Sequence, residues 1–123
     1  MELKKLIEES HKTAKEHGFW DKPRNKGELL MLIVSELGEA LEADRHGKEI
    51  SQDDMDYLWS IKDKPEFIHE FKARGKDTYT DEIADTFIRL FDLCGGQGID
   101  IERQIELKMK FNEARERLNG KKY

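Results

Sequence analysis

The run Leu29-Leu30-Met31-Leu32-Ile33-Val34 is the longest apolar stretch in the chain, and it continues directly into SELGEALEADR, Ser35 to Arg45. No proline and no strand-like alternation interrupts Gly27 to Arg45, so the whole stretch reads as one helix. With Glu36 at zero on a wheel of about 100° per residue, Leu29, Leu32, Ile33 and Ala40 fall within roughly 60° of it. Leu30, Val34, Leu37 and Leu41 extend the apolar arc, Glu39 lies on its margin, and Glu42 lies further towards solvent. An ordinary amphipathic helix carries alanine or leucine where Glu36 stands. A carboxylate inside such a face is costly unless it holds a proton or meets a cation. The expectation is therefore that Glu36 faces a cation.

The remaining chain is also helical in pattern, with only two prolines, Pro23 and Pro65. A first helix is expected from Glu2 to about His17, with Leu3, Leu6, Ile7 and Ala14 on one side and Gly18 as its stop. FWDKPRNKG is a loop. The second helix occupies Glu28 to about Arg45 and ends near Gly47. Ile50 to Asp77 is less regular, with one short helix after Pro65. Thr80 is the expected N-cap of the third helix, with Ile83 at N3, and Gly95-Gly96 is expected to stop it after Cys94. Asp100 caps a fourth helix that continues to about Asn119. The sequence thus predicts a single all-α domain over residues 1–123. Its architecture is four-helix-bundle-like, with an insertion between helices two and three.

Helix three is apolar around most of its circumference, which places it centrally or at a subunit interface. Its narrow charged strip holds Glu82, Asp85, Arg89 and Asp92. Acidic i,i+3 pairs come easily in a chain with 27 Asp and Glu, so 53/56, 63/66 and 113/116 read as solvated surface. Glu36/Glu39 and Glu82/Asp85 differ because apolar residues flank them. Four carboxylates from two packed helices would form an oxygen-rich, negative pocket suited to a hard cation such as Mg²⁺. Without metal their repulsion should raise at least one pKa.

Charged residues are 40% of the chain against 37% hydrophobic, with a formal net charge of −5 and both signs interspersed. That balance argues against a nucleic acid polymer or a membrane surface as partner, and implies that a phosphate ligand would be reached through divalent cations. Cys94 is the one cysteine, so no internal disulfide forms. With no signal-peptide pattern and no membrane-length apolar run, the expected location is the cytoplasm. On the fourth helix Lys108, Asn112 and Arg115 form one stripe, which from spacing alone is most simply a solvated face. Trp20 either stacks on a nucleobase or, with Phe19, caps the bundle end. Tyr57, Trp59 and Phe67 read as core of the insertion, and Cys94 as a packed small hydrophobe. Asp92 either supports the acidic strip or makes an ion pair between helices or subunits.

Three motifs now stand in order on three helices: ExxE in SELGEALEADR, ExxD in KDTYTDEIADTFIRLFDL, and K-x-x-x-N-x-x-R in KMKFNEAR. Together with HGFW before helix two and GIDIE before helix four, they resemble the MazG-like, all-α nucleoside triphosphate pyrophosphohydrolases. The resemblance implies Mg²⁺-dependent hydrolysis (Mn²⁺ substituting) of an NTP or dNTP to the monophosphate and pyrophosphate. It implies Glu36, Glu39, Glu82 and Asp85 as metal ligands and catalytic carboxylates, with Glu39 orienting the attacking water. Lys108, Asn112 and Arg115 would hold the triphosphate. It also implies a homodimer or homotetramer and a role in clearing the nucleotide pool. Forty-two residues separate Glu39 from Glu82, more than the family's compact spacing. The extra stretch, roughly Gly47 to Thr78, is a lid, a dimer element or decoration.

Two other readings compete. Glu8/His11 and Glu66/His69 are ExxH pairs which, with Glu36 and Glu82, would match a di-iron carboxylate bundle. The chain would alternatively be a non-catalytic helical oligomerisation module whose acids serve solubility.

Overall fold

The computed structural model describes residues 2–115. Among them are six helices and no strand: α1 (Leu3–Glu16), α2 (Lys26–Arg45), α3 (Gln52–Ser60), α4 (Lys64–Arg74), α5 (Tyr79–Gln97) and α6 (Ile101–Ala114). None is long and apolar enough to cross a membrane. α5 is the central element and packs against both α1 and α2, while α3 and α4 pack on each other. Leu29, Ile33, Leu93 and Cys94 form the buried core, with Ile7, Phe19, Trp20 and Ile101 packed around it.

Helix starts follow local capping chemistry. The side chain of Asn25 accepts the Glu28 amide at 2.8 Å, so α2 begins at Lys26, ahead of the expected Glu28. Asp100 accepts the Arg103 amide and caps α6, as the sequence indicates. The N-cap of α5 is Thr78 in place of Thr80: its hydroxyl accepts the Asp81 amide, and the helix starts at Tyr79. Tyr79 N–H donates to the Lys48 carbonyl at 2.9 Å, which ties this helix start to the turn after α2.

Gly95-Gly96 does not stop α5, which runs on to Gly98 in the left-handed region at φ 64°. The two glycines instead form a packing notch. A Cβ on Gly95 would sit 2.7 Å from the Cβ of His11, and one on Gly96 would sit 2.6 Å from the Trp20 indole. Only hydrogen fits there, so the pair sets how closely α1 and the loop after it approach α5.

The insertion holds two short helices where the sequence indicated one. Ser51 caps α3 and Asp63 caps α4, with Pro65 tolerated in the first turn of α4. Leu58 is its buried hydrophobic side chain. Of the three aromatics expected in its core, Trp59 is 92% exposed, and Tyr57 and Phe67 are exposed as well. Arg74 joins the two helices, bonding Glu70 and Asp54 at 2.8 Å each and lying over the Tyr57 ring.

The helix expected to run to about Asn119 ends at Ala114 among the described residues; residues 116–119 lie outside them. Every α6 residue from Glu102 onward is exposed, Leu107, Met109 and Phe111 included. The apolar arc of α2 divides in two. Leu29, Ile33, Glu36, Ala40 and Ala43 are buried, while Leu30, Val34, Leu37 and Leu41 are about half exposed. On α5, Phe87 and Ile88 are likewise about half exposed.

Candidate metal centre

The buried face of α2 advances in steps of four and three, from Leu29 through Ile33, Glu36 and Ala40 to Ala43. This is the helical repeat that keeps one face against a neighbour, and it presents Glu36 to α5. Across from it stand Glu82 and Asp85 in the first half of α5. Glu82 is 3% exposed and Glu36 7%, both unusually low for carboxylates. The Thr86 hydroxyl returns to the Glu82 carbonyl at 3.0 Å, so a hydroxyl is buried beside the acids without an unsatisfied donor.

Opposite Glu36 stands the guanidinium of Arg89, whose Nε donates to Glu36 Oε1 at 2.8 Å. The expected cation is therefore supplied, in part, from within the chain. Arg89 follows Asp85 by one turn and Glu82 by two, on the strip already visible in the sequence, but it carried no assigned role there. Burial pushes the Glu36 carboxyl upward, yet the Arg89 hydrogen bond and charge, with contacts to Glu82 and Glu39, outweigh it. Glu36 therefore ionises below the ordinary glutamate range.

Glu82 behaves oppositely. Burial first, then the adjoining Glu39 and Glu36 carboxylates, push it up to about 8. Asp85 is pushed up to about 6, by burial and then by the charges of Asp81 and Glu36, with Arg89 opposing. One arginine does not balance this many acids, and a proton on Glu82 makes up part of the deficit.

The donor set fits a hard divalent cation. One carboxylate oxygen from each of Glu36, Glu82 and Asp85 lies within 4.8 Å of the others. Octahedral ligands at Mg²⁺ distances stand roughly 3–4 Å apart, so a small closure would bring these oxygens into range. Glu82 Oε2 is a buried atom with no hydrogen-bond partner, which leaves a lone pair for an ion. Glu39, exposed on the margin of α2, adjoins Glu36 and Glu82 through its carboxyl and lines the cleft beside them.

The remaining sequence candidates lie elsewhere. The cleft is lined by Glu39, Glu42, Ala43, His46, Lys48, Asp77 and Glu82, with nothing from α6. Lys108 rests its ammonium over Phe111, Arg115 is the C-cap of α6, and Asn112 is exposed between them. Trp20 is engaged at the far end of α5. Its indole N–H donates to Asp92 Oδ1 at 2.8 Å, and its ring meets His11 and Phe19 edge-on. His11 Nδ1 bonds the same oxygen at 2.8 Å, so Asp92 is the interhelical partner of α1 and not a member of the acidic cluster. A partly buried indole N–H takes a fixed acceptor, which is why Trp20 sits at the bundle end. Cys94 is buried in the core, and burial pushes its thiol up.

Among the described residues, no cluster of potential metal ligands contains a histidine, so neither ExxH pair is assembled into one. A second cluster unseen in the sequence does form, from Asp77, Asp81 and Glu82. No protein-family model, curated protein or solved structure matches this chain.

Proposed function

We propose that this chain is a Mg²⁺-dependent nucleoside triphosphate pyrophosphohydrolase of the MazG-like kind, acting on an NTP or dNTP. The observation that carries the reading is the convergence of carboxylate oxygens from Glu36, Glu82 and Asp85, with Glu82 also holding a buried oxygen that has no hydrogen-bond partner. The order of the ExxE, ExxD and KxxxNxxR motifs supports a triphosphate as the substrate.

When bound, Mg²⁺ supplies charge neutralisation of the phosphates and acidifies water. Glu36, Glu82 and Asp85 would hold the ion, and Arg89 fixes the Glu36 carboxylate through the bond from its Nε to Oε1. Glu39, exposed at the cleft, accepts a proton from the attacking water. The water oxygen forms a bond to phosphorus as the P–O bond of the α–β bridge breaks. Pyrophosphate leaves, and the monophosphate remains.

Lys108, Asn112 and Arg115 are assigned to the triphosphate. Their helix is exposed beyond Ile101, and they are assigned to the site of a second copy, docked on the open apolar rows of α2 and α5. The test is a panel of NTPs and dNTPs with Mg²⁺, read as equimolar monophosphate and pyrophosphate. Glu82→Gln is expected to lower turnover about a hundredfold or more. Metal binding with no nucleotide cleaved would refute the function and leave the metal centre standing.

The Glu36–Arg89 pair favours a second reading, a non-catalytic helical module in which that ion pair is structural. Under it, Mg²⁺ leaves the melting temperature unchanged, and Glu36→Leu with Arg89→Leu stabilises the fold.

A further inference from the structure

Between the insertion helix α4 and α5 lies a cleft of about 420 Å³, within the roughly 300–1,000 Å³ of small-molecule sites. α4 lines it with Phe67, Ile68, Phe71 and Lys72, spaced i, i+1, i+4 and i+5 and hence on one face. α5 lines it with Asp81, Asp85 and Ile88 at i, i+4 and i+7, and the turn between the helices adds Lys76 and Asp77. Asp85 thus belongs both to this cleft and to the group it forms with Glu36 and Glu82.

Chain order sorts the cleft chemically. Its end at the turn carries Lys72, Lys76, Asp77 and Asp81, while Phe67, Ile68 and Ile88 stand away from the turn, 37%, 43% and 48% exposed. Among the described residues neither lysine forms an ion pair, although three acids line the same cleft; Arg74, between them in the chain, is held by Glu70 and Asp54. Phe71 is fixed in the wall, because a Cβ on Gly75 behind it would lie 3.2 Å from its ring. The Phe67 ring stands 5.8 Å from that of Phe71, centroid to centroid, on the open side. A matching ligand brings an ion to Asp85, negative oxygens to the lysines and a flat apolar group to the phenylalanines. The Mg²⁺ complex of a nucleotide has these parts in this order: phosphates that share the ion with carboxylates, then a sugar, then a base that stacks on aromatic rings.

We propose that the α4–α5 cleft seats the nucleotide and selects its base, with Phe67 and Phe71 against the base and Lys72 and Lys76 on the phosphates. The proposal rests on the pyrophosphohydrolase reading and deepens it. Lys72 and Lys76 are the same-chain counterparts of the α6 cations assigned from a second copy. The insertion is then the wall that chooses the substrate.

The experiment measures KM for the nucleotide that the full chain cleaves best with Mg²⁺. Beside it stands the inhibition constant of inorganic tripolyphosphate, which has the phosphates and no base. Phe67→Ala is expected to raise KM about tenfold, the size of one lost base–aromatic contact, and to leave the tripolyphosphate constant unchanged. Phe67→Trp keeps a stacking ring and should hold KM near the wild-type value. Lys72→Ala/Lys76→Ala is expected to raise both constants, about tenfold each. All are changes of exposed side chains, and circular dichroism checks the fold. A KM unmoved in Phe67→Ala or in the lysine variant, or a Phe67→Ala effect equal on both ligands, would overturn this site, while wild-type turnover leaves the function standing. A wild type that cleaves no nucleotide would overturn the pyrophosphohydrolase reading and this site with it.

Discussion

Arg89 Nε and Glu36 Oε1, 2.8 Å apart, join α5 to α2 at the edge of a group of acids that one arginine cannot neutralise. The pair is half open on the arginine side, where the side chain is 34% exposed, so solvent screens part of its strength. Removing Arg89 still leaves Glu36 buried and facing Glu82. Arg89→Ala is therefore expected to destabilise the metal-free protein by about 1–3 kcal/mol, below the loss for a fully buried pair. Urea unfolding in EDTA measures it, and Mg²⁺ should recover more stability in the variant than in the wild type.

Glu82 sets the pH dependence. Its pKa is about 8 in the folded protein against an ordinary 4.5, so the folded state binds more protons than the unfolded state across that window. Stability contributed by this group is full below the lower value and is lost as pH rises through the upper one. Asp85, raised to about 6, adds a smaller loss at lower pH. Glu36, held low, works in the opposite sense and loses its contribution only in acid. In EDTA the melting temperature should therefore fall between about pH 5 and pH 8.5, and the slope should flatten in Glu82→Gln. Mg²⁺ affinity should rise over the upper part of this range as Glu82 releases its proton. Melts with and without Mg²⁺ read both trends.

The exposed α6 stripe makes a prediction in trans. Lys108→Ala and Glu82→Gln are each expected to be inactive alone. Mixed after gentle unfolding, a two-fold dimer with sites completed across copies regains about a quarter of wild-type sites. No recovery in a mixture shown to contain heterodimers would place the stripe in the same chain as the acids it serves, or outside the site.

The Gly95-Gly96 notch tests the fold without touching the acids. Alanine favours a helix interior over glycine by about 1 kcal/mol. Here, however, the new methyl would meet His11 or Trp20 at under 3 Å. Gly96→Ala is expected to cost about 1–3 kcal/mol net through overpacking. Chemical unfolding in Mg²⁺ measures it, with Gly38→Ala, where nothing lies within 4 Å of the added Cβ, as the permissive control.

What the sequence made legible was periodicity. The 3.6-residue repeat placed Glu36 on a buried face and Glu82 and Asp85 on a shared strip, and the structure brings those three together. Two adjacent glycines look the same whether they end a helix or admit a neighbour, so Gly95-Gly96 was read as a stop. Thr78 and Thr80 are equally good caps in isolation; the tie from Tyr79 N–H to the Lys48 carbonyl and the local bond from the Thr78 hydroxyl to the Gly75 carbonyl select the first. Asp77 and Asp81 went unnoticed because a turn, not a helical repeat, places one beside the other. Trp59 was assigned to a core by its hydrophobicity, but Leu58 is the residue that α3 buries, and its chain neighbour Trp59 points away.

Whether acids of α2 and α5 hold a divalent cation is read from an anomalous difference map of crystals soaked in Mn²⁺. The expected result is a peak bound by Glu36, Glu82 and Asp85, with Arg89 still on Glu36. A map with no peak there, from crystals soaked in Mn²⁺ above pH 8 where Glu82 has released its proton, would contradict it.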